Sequence, residues 1–118
     1  MQTQNRLDLV FSALSDPTRR AILSRLAQGE ASVSELAEPF GLRQPTISKH
    51  LKILEEAGFI TQGRDAQRRP RALVVGGPLK DADDWLRPFR EQWERRFDQL
   101  ERLLVQKTKN KERTRNQP

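Results

Sequence analysis

The stretch from Leu42 to Gly58 limits what this chain can become more than any other. Read as a helix, it places Ile47, Leu51 and Leu54 on one face, at spacings of four and three. Pro45, Lys49, Lys52 and Glu56 cluster on the opposite face, with Gln44 and Ser48 beside them. Gly58 suits the left-handed residue that ends a helix. One side is therefore built to pack. The other carries amides, hydroxyls and ammonium groups, with few acids near the positive pole of the helix dipole. Such a face fits the major groove of duplex DNA, although an ordinary surface helix is the plainer alternative.

The flanking segments narrow the choice. Ser32-Val33-Ser34-Glu35 forms a capping box, and Val33, Leu36, Ala37 and Phe40 then follow at helical spacing up to Gly41. Two short helices joined by a tight glycine-containing turn, the second one basic, make a helix-turn-helix. After it, Ile60 to Arg64 and Pro70 to Val75 read as two short strands with a polar connection, Asp65 to Arg69. This ribbon carries Arg64, Arg68, Arg69 and Arg71. A basic hairpin placed there is a wing, whose arginines can follow the DNA backbone or enter the minor groove. A merely solvated arginine run is the alternative.

Upstream, Leu7, Val10, Phe11 and Leu14 mark one side of a first helix. Asp16 and Pro17 are a cap and a first helical residue, after which Ile22, Leu23 and Leu26 turn inward. Arg19 and Arg20 read as solvated or salt-bridged before they read as phosphate contacts. Downstream, Gly76-Gly77-Pro78 is a break, and Leu79 to Gln106 is a long amphipathic helix. Ala82, Leu86, Phe89, Trp93, Phe97, Leu100 and Leu104 form its stripe, with Pro88 expected to kink or divide it. That stripe is too large for a small core to cover. It reads as an intersubunit surface shared with the first helix, and packing within one protomer is the alternative. Residues 107–118 have no apolar side chain beyond Pro118 and are expected to be a disordered basic tail.

Charge and composition agree with this plan. The formal net charge of +6 is unevenly spread. Residues 43–73 hold seven basic and three acidic side chains, and residues 107–118 five and one, whereas 81–106 hold five and seven. A basic patch favours polyanions without conferring sequence specificity. With no cysteine, disulfides and thiolate chemistry are excluded. No apolar run spans a membrane and no signal peptide opens the chain, so a cytoplasmic protein is expected. No phosphate-binding glycine loop, His-paired nucleophile or metal-ligand cluster is present, so no enzyme and no cofactor are expected.

These marks together resemble a known family. Residues 14–23 (Leu-Ser-Asp-Pro-Thr-Arg-Arg-Ala-Ile-Leu), 34–37 (Ser-Glu-Leu-Ala), 44–54 (Gln-Pro-Thr-Ile-Ser-Lys-His-Leu-Lys-Ile-Leu) and 57–60 (Ala-Gly-Phe-Ile) are similar to winged-helix repressors of the ArsR/SmtB type. The resemblance covers about Asn5 to Leu104 and points to a cysteine-free branch. It implies a mainly α fold with a small β-hairpin, a winged helix-turn-helix dimerising through its first and last helices. It implies a homodimer that binds a pseudo-palindromic operator and represses transcription. Residues 1–106 would be the winged domain, with 79–106 as its dimerisation helix.

By the same resemblance Gln44, Pro45, Ser48 and Lys49 read DNA, with Thr46 beside them and Arg43 and Lys52 on phosphate. The expected dimer residues are Leu7, Val10, Phe11, Leu14, Leu86, Phe89, Trp93, Phe97, Leu100 and Leu104. Metal-sensing members carry Cys-Val-Cys where Ser32-Val33-Ser34 stands, and hydroxyls do not hold a soft metal. The only histidine, His50, reads as structural. Arg43 replaces a serine cap common in the family, and Ala66 a turn glycine. Expected partners are duplex DNA, a second copy and an effector, either a small molecule or a protein, with no membrane. The competing functions are a protein-interaction module and a non-specific architectural DNA binder.

Overall fold

A computed structural model of the chain describes residues 2–63 and 69–115. Five helices and one hairpin follow in order: α1 (Gln2–Leu14), α2 (Pro17–Leu26), α3 (Val33–Ala37), a 3-10 turn (Glu38–Phe40), α4 (Gln44–Glu56), β1 (Ile60–Gln62), β2 (Arg71–Leu73) and α5 (Pro78–Arg115). The chain packs as two units, residues 1–84 and 85–118.

In the first unit, local chemistry accounts for several helix boundaries. The Asp16 carboxylate accepts from the Arg19 amide and starts α2, with Pro17 in its first turn. The guanidinium groups that follow satisfy the end of α1. Arg19 donates to the carbonyls of Ala13 (2.8 Å) and Ser12 (3.0 Å), and Arg20 donates to that of Leu14 (2.7 Å). All three carbonyls lie in the last turn of α1, where a helix runs out of amides; that of Ser12 also accepts from the Ser15 amide (3.2 Å). The two arginines thus serve the α1–α2 corner, a use distinct from the solvated, salt-bridged and phosphate readings. Both halves of the capping box at Ser32 and Glu35 are formed. Gly41 (φ 61°) turns the chain from the 3-10 turn towards α4.

The end of α4 is a Schellman motif. Phe59 N–H donates to the Leu54 carbonyl (2.9 Å) and Gly58 N–H to that of Glu55 (3.0 Å), with Gly58 at φ 84°. Phe59, wholly buried, follows at once and enters the core beside Ile22, Leu36, Ile47, Leu51 and Leu54. The apolar stripe of α4 therefore holds the helix down, and its opposite face stays exposed.

The hairpin is antiparallel, with Ile60 opposite Leu73 and Gln62 opposite Arg71. Its regular strands are three residues each, shorter than expected, and Ala31 adds a bridge to Arg71 on the outer side. The wing tip, residues 64–68, lies outside the described residues, and with it Arg64, Arg68 and Ala66.

Arg71 departs from its assigned role as a DNA contact. It is buried, and its Nε donates to the Glu55 carboxylate of α4 at 2.7 Å. One terminal nitrogen donates to the Arg69 carbonyl, and the Gln62 amide, oxygen inward, accepts from both terminal nitrogens (3.2 and 3.0 Å). Strand alternation explains the change: Arg71 points to the core side of the ribbon, where only a paired charge is tolerated. Its guanidinium ties the wing root to α4.

Two further expectations change. Val10 is buried in the protomer core with Ala13, which leaves it no surface for a partner, and Leu14, half-buried, packs against that core. Leu7 is half-buried, whereas Leu9 and Phe11 are exposed. Val10, Ala13 and Leu14 lie three and four apart, so they form the inward stripe of α1.

The last helix is one helix of 38 residues, about 57 Å long, and Pro88 does not divide it. A proline removes one hydrogen bond, and the remainder of so long a ladder can carry that loss. Residues 107–115, expected to be disordered, continue the helix. They are mostly unbranched Lys, Glu and Arg, which lose little freedom in a helix, and they propagate from a helix already nucleated. In the second unit the rings of Trp85 and Phe89 meet at a tilt of 37°, with centroids 5.1 Å apart. Phe89, Trp93, Phe97, Leu100, Leu103, Leu104 and Val105 are all exposed.

Candidate nucleic-acid interface

The two helices of the turn place a polar, basic surface outward. Arg43, Gln44, Pro45, Thr46, Ser48, Lys49 and Lys52 are all exposed, while Ile47, Leu51 and Leu54 beneath them are at most 1% exposed. Arg43 occupies the cap position of α4, and no side chain caps that end; its carbonyl accepts from the amides of Thr46 and Ile47. Gln44 sits at the first helical position. Its Nε2 donates to Ser34 Oγ of α3 at 2.9 Å, so the two helices of the turn are linked at their exposed ends. Ser34 was not among the residues that sequence reasoning selected. Ten positions separate it from Gln44, and only the fold of the turn brings the two together.

His50, at the side of α4, is half-buried. Its Nδ1 lies 3.8 Å from an Asp16 carboxylate oxygen and 3.5 Å from an Arg19 guanidinium nitrogen. It joins α4 to the α1–α2 corner, which agrees with a structural role. The Asp16 carboxyl is held below the ordinary carboxylate range, first by the Arg19 amide that donates to it and then by the nearby His50 and Arg19 charges. A depressed folded pKa contributes stability above the unfolded value, near pH 4, and loses it as pH falls through the folded value. Acid unfolding followed by circular dichroism is expected to show this. Asp16→Asn keeps a capping oxygen but does not titrate. The stability gap between wild type and Asp16→Asn should narrow below about pH 4, and a gap independent of pH would contradict the assignment.

Arg69 is exposed beside the wing tip with φ 40°, a left-handed conformation unusual for a residue with a Cβ. Among the described residues, no group of three His, Cys, Asp or Glu side chains could hold a metal ion. None of the described helices is long and apolar enough to cross a membrane.

A buried three-point stripe under an exposed basic helix, preceded by a short capped helix and followed by a two-stranded ribbon, defines the winged helix-turn-helix class of DNA-binding domain. Comparison with known proteins agrees. A family profile described as a helix-turn-helix domain matches residues 14–63. The transcriptional repressor SdpR of Bacillus subtilis is 47% identical over 80 residues, 68% of this chain and 88% of that protein. The crystal structure of an ArsR family transcriptional regulator, RHA00566, superposes with a TM-score of 0.68 at 41% identity, covering 77% of this chain and 93% of the other. A homodimeric winged helix-turn-helix DNA-binding domain, Mb0332 of Mycobacterium bovis, superposes at 0.58 with 28% identity, covering 83% and 84%. This chain belongs to the ArsR family of transcriptional regulators.

Proposed function

We propose that the chain is a cytoplasmic, homodimeric transcriptional repressor without enzymatic activity. Residues 1–106 form its working domain, and α4 docks in the major groove of a pseudo-palindromic operator. The observation that carries this reading is the two-sidedness of α4: three apolar residues locked in the core and, besides Pro45, six polar or basic residues exposed along the turn. Gln44, Ser48 and Lys49 are assigned to base edges, with Pro45 and Thr46 in the close approach. Arg43, Lys52 and the wing residues Arg64, Arg68 and Arg69 are assigned to the backbone or minor groove. Arg71 is removed from the set because Glu55 already holds it. The dimer is assigned to Leu7 and Phe11 of α1 and to Leu86, Phe89, Trp93, Phe97, Leu100 and Leu104 of α5. The exposure of the last five supports that assignment, as do the printed titles of the repressor relative and the homodimeric neighbour.

The test is fluorescence anisotropy on the DNA upstream of the chain's own gene, beside a scrambled duplex, over a range of salt. A preference of roughly a thousandfold, with two protomers per site, is the expected result. Equal and steeply salt-dependent binding to both duplexes would favour an architectural binder, and no binding to either would favour a protein-interaction module.

Within that site the roles separate by chemistry. Gln44→Ala with Ser48→Ala should relax base preference and leave the salt slope nearly unchanged. Lys52→Ala with Arg69→Ala should weaken binding to every sequence, with the slope of log affinity against log salt falling by about 1 per lost phosphate contact. Identical behaviour of the two pairs would end the division into readers and backbone holders.

A further inference from the structure

We propose that Ser34 is a positioning residue for base reading: its hydroxyl presets the Gln44 amide for one adenine in each half-site. The inference rests on the assignment of α4 to the major groove.

The capping box leaves this hydroxyl available. Ser32 Oγ accepts from the Glu35 amide and starts α3, and Ser34 takes no part in that cap. Ser34 Oγ instead accepts from Gln44 Nε2 at 2.9 Å. The bond joins the second residue of α3 to the first of α4, and both residues are exposed on the surface that α4 presents.

The count of donors and acceptors gives the bond its consequence. A glutamine amide has two N–H donors and one oxygen acceptor. The adenine edge in the major groove offers the N6 amino donor and the N7 acceptor, so bidentate pairing uses one amide N–H and the oxygen. With its first N–H on Ser34, Gln44 retains the complement that adenine needs. A free glutamine side chain must surrender rotamer freedom on docking, and an amide already held surrenders less. A guanine offers two acceptors at that edge, and an amide with one N–H committed can satisfy only one of them.

The experiment uses the full chain as wild type, Gln44→Ala, Ser34→Ala and Ser34→Thr, each checked for folding by circular dichroism. Each is put through selection from a randomised duplex pool, followed by anisotropy on the wild-type consensus and its single-base-pair variants. Wild type should select an adenine at one position per half-site, and Gln44→Ala should lose that preference. Ser34→Ala should reduce the same preference by about two- to tenfold, the worth of one hydrogen bond, and leave the other positions unchanged. Ser34→Thr, which keeps the hydroxyl, should restore it. Ser34→Ala with the wild-type consensus and discrimination, a uniform loss at all positions, or failure of Ser34→Thr to rescue would each overturn the proposal. A wild-type consensus that Gln44→Ala leaves intact would also overturn it while sparing the proposed function. A wild-type chain that selects no consensus would remove the proposed function itself.

Discussion

Trp93→Asp is expected to sediment as a monomer and to bind its operator at least about a hundredfold more weakly than wild type. Trp93 is 51% exposed within the protomer and lies mid-way along the apolar stripe of α5. A buried tryptophan covers about 150–250 Å², so roughly half of that is available for a partner to cover. At about 25 cal/mol per Å² this contributes about 2–3 kcal/mol. A two-fold interface uses each residue twice, which makes about 5 kcal/mol, or between a thousand- and ten-thousandfold in the dimer dissociation constant. A desolvated carboxylate adds to the loss. The protomer itself should stay folded, because the exposed side chain takes no part in its core. Sedimentation velocity and circular dichroism on the same sample check both halves of the statement. A stable dimer of the variant would dismiss the interface assignment.

Phe59→Ala is expected to cost about 3–5 kcal/mol of folding stability, a large share of what a small domain possesses. Phe59 is fully buried, and its backbone closes two structures at once. Its N–H ends α4 on the Leu54 carbonyl, and its carbonyl accepts from Val74 next to β2. Emptying this site leaves a cavity under both the recognition helix and the wing. Urea unfolding should show a much lower midpoint with little change in slope. If affinity is measured on the remaining folded protein, it should fall as well, because α4 and the wing root share the lost support. A midpoint shift corresponding to less than about 1 kcal/mol would mean that the core closes over the vacancy.

Much of the site was legible in the chain because it depends on short-range chemistry. The apolar positions of α4 at 47, 51 and 54, the cap at Asp16, the capping box at Ser32 and Glu35, and the stop at Gly58 each involve residues within a turn of one another. A period of 3.6 residues then decides which side chains must face out, and so which can meet DNA. Arg71 shows the limit of that logic. Among four arginines near a hairpin, periodicity alone does not tell which one turns under the sheet, as Arg71 does. Val10 shows the same limit on α1, where inward and outward stripes are both apolar.

Read alone, the sequence determined the class of fold, the position of the recognition helix and the absence of cysteine chemistry. These follow from residue type and local spacing, which the chain carries unchanged into any environment. Tertiary structure alone decided which charges are spent within the protomer. Arg19 and Arg20 close the end of α1, Arg71 holds Glu55, His50 meets Asp16, and Ser34 meets Gln44. These contacts all cross between elements, from consecutive helices at the α1–α2 corner to residues 34 apart at Asp16 and His50. A charged or polar side chain has several partners of similar worth, and only the packed fold determines which of them lies within 3 or 4 Å.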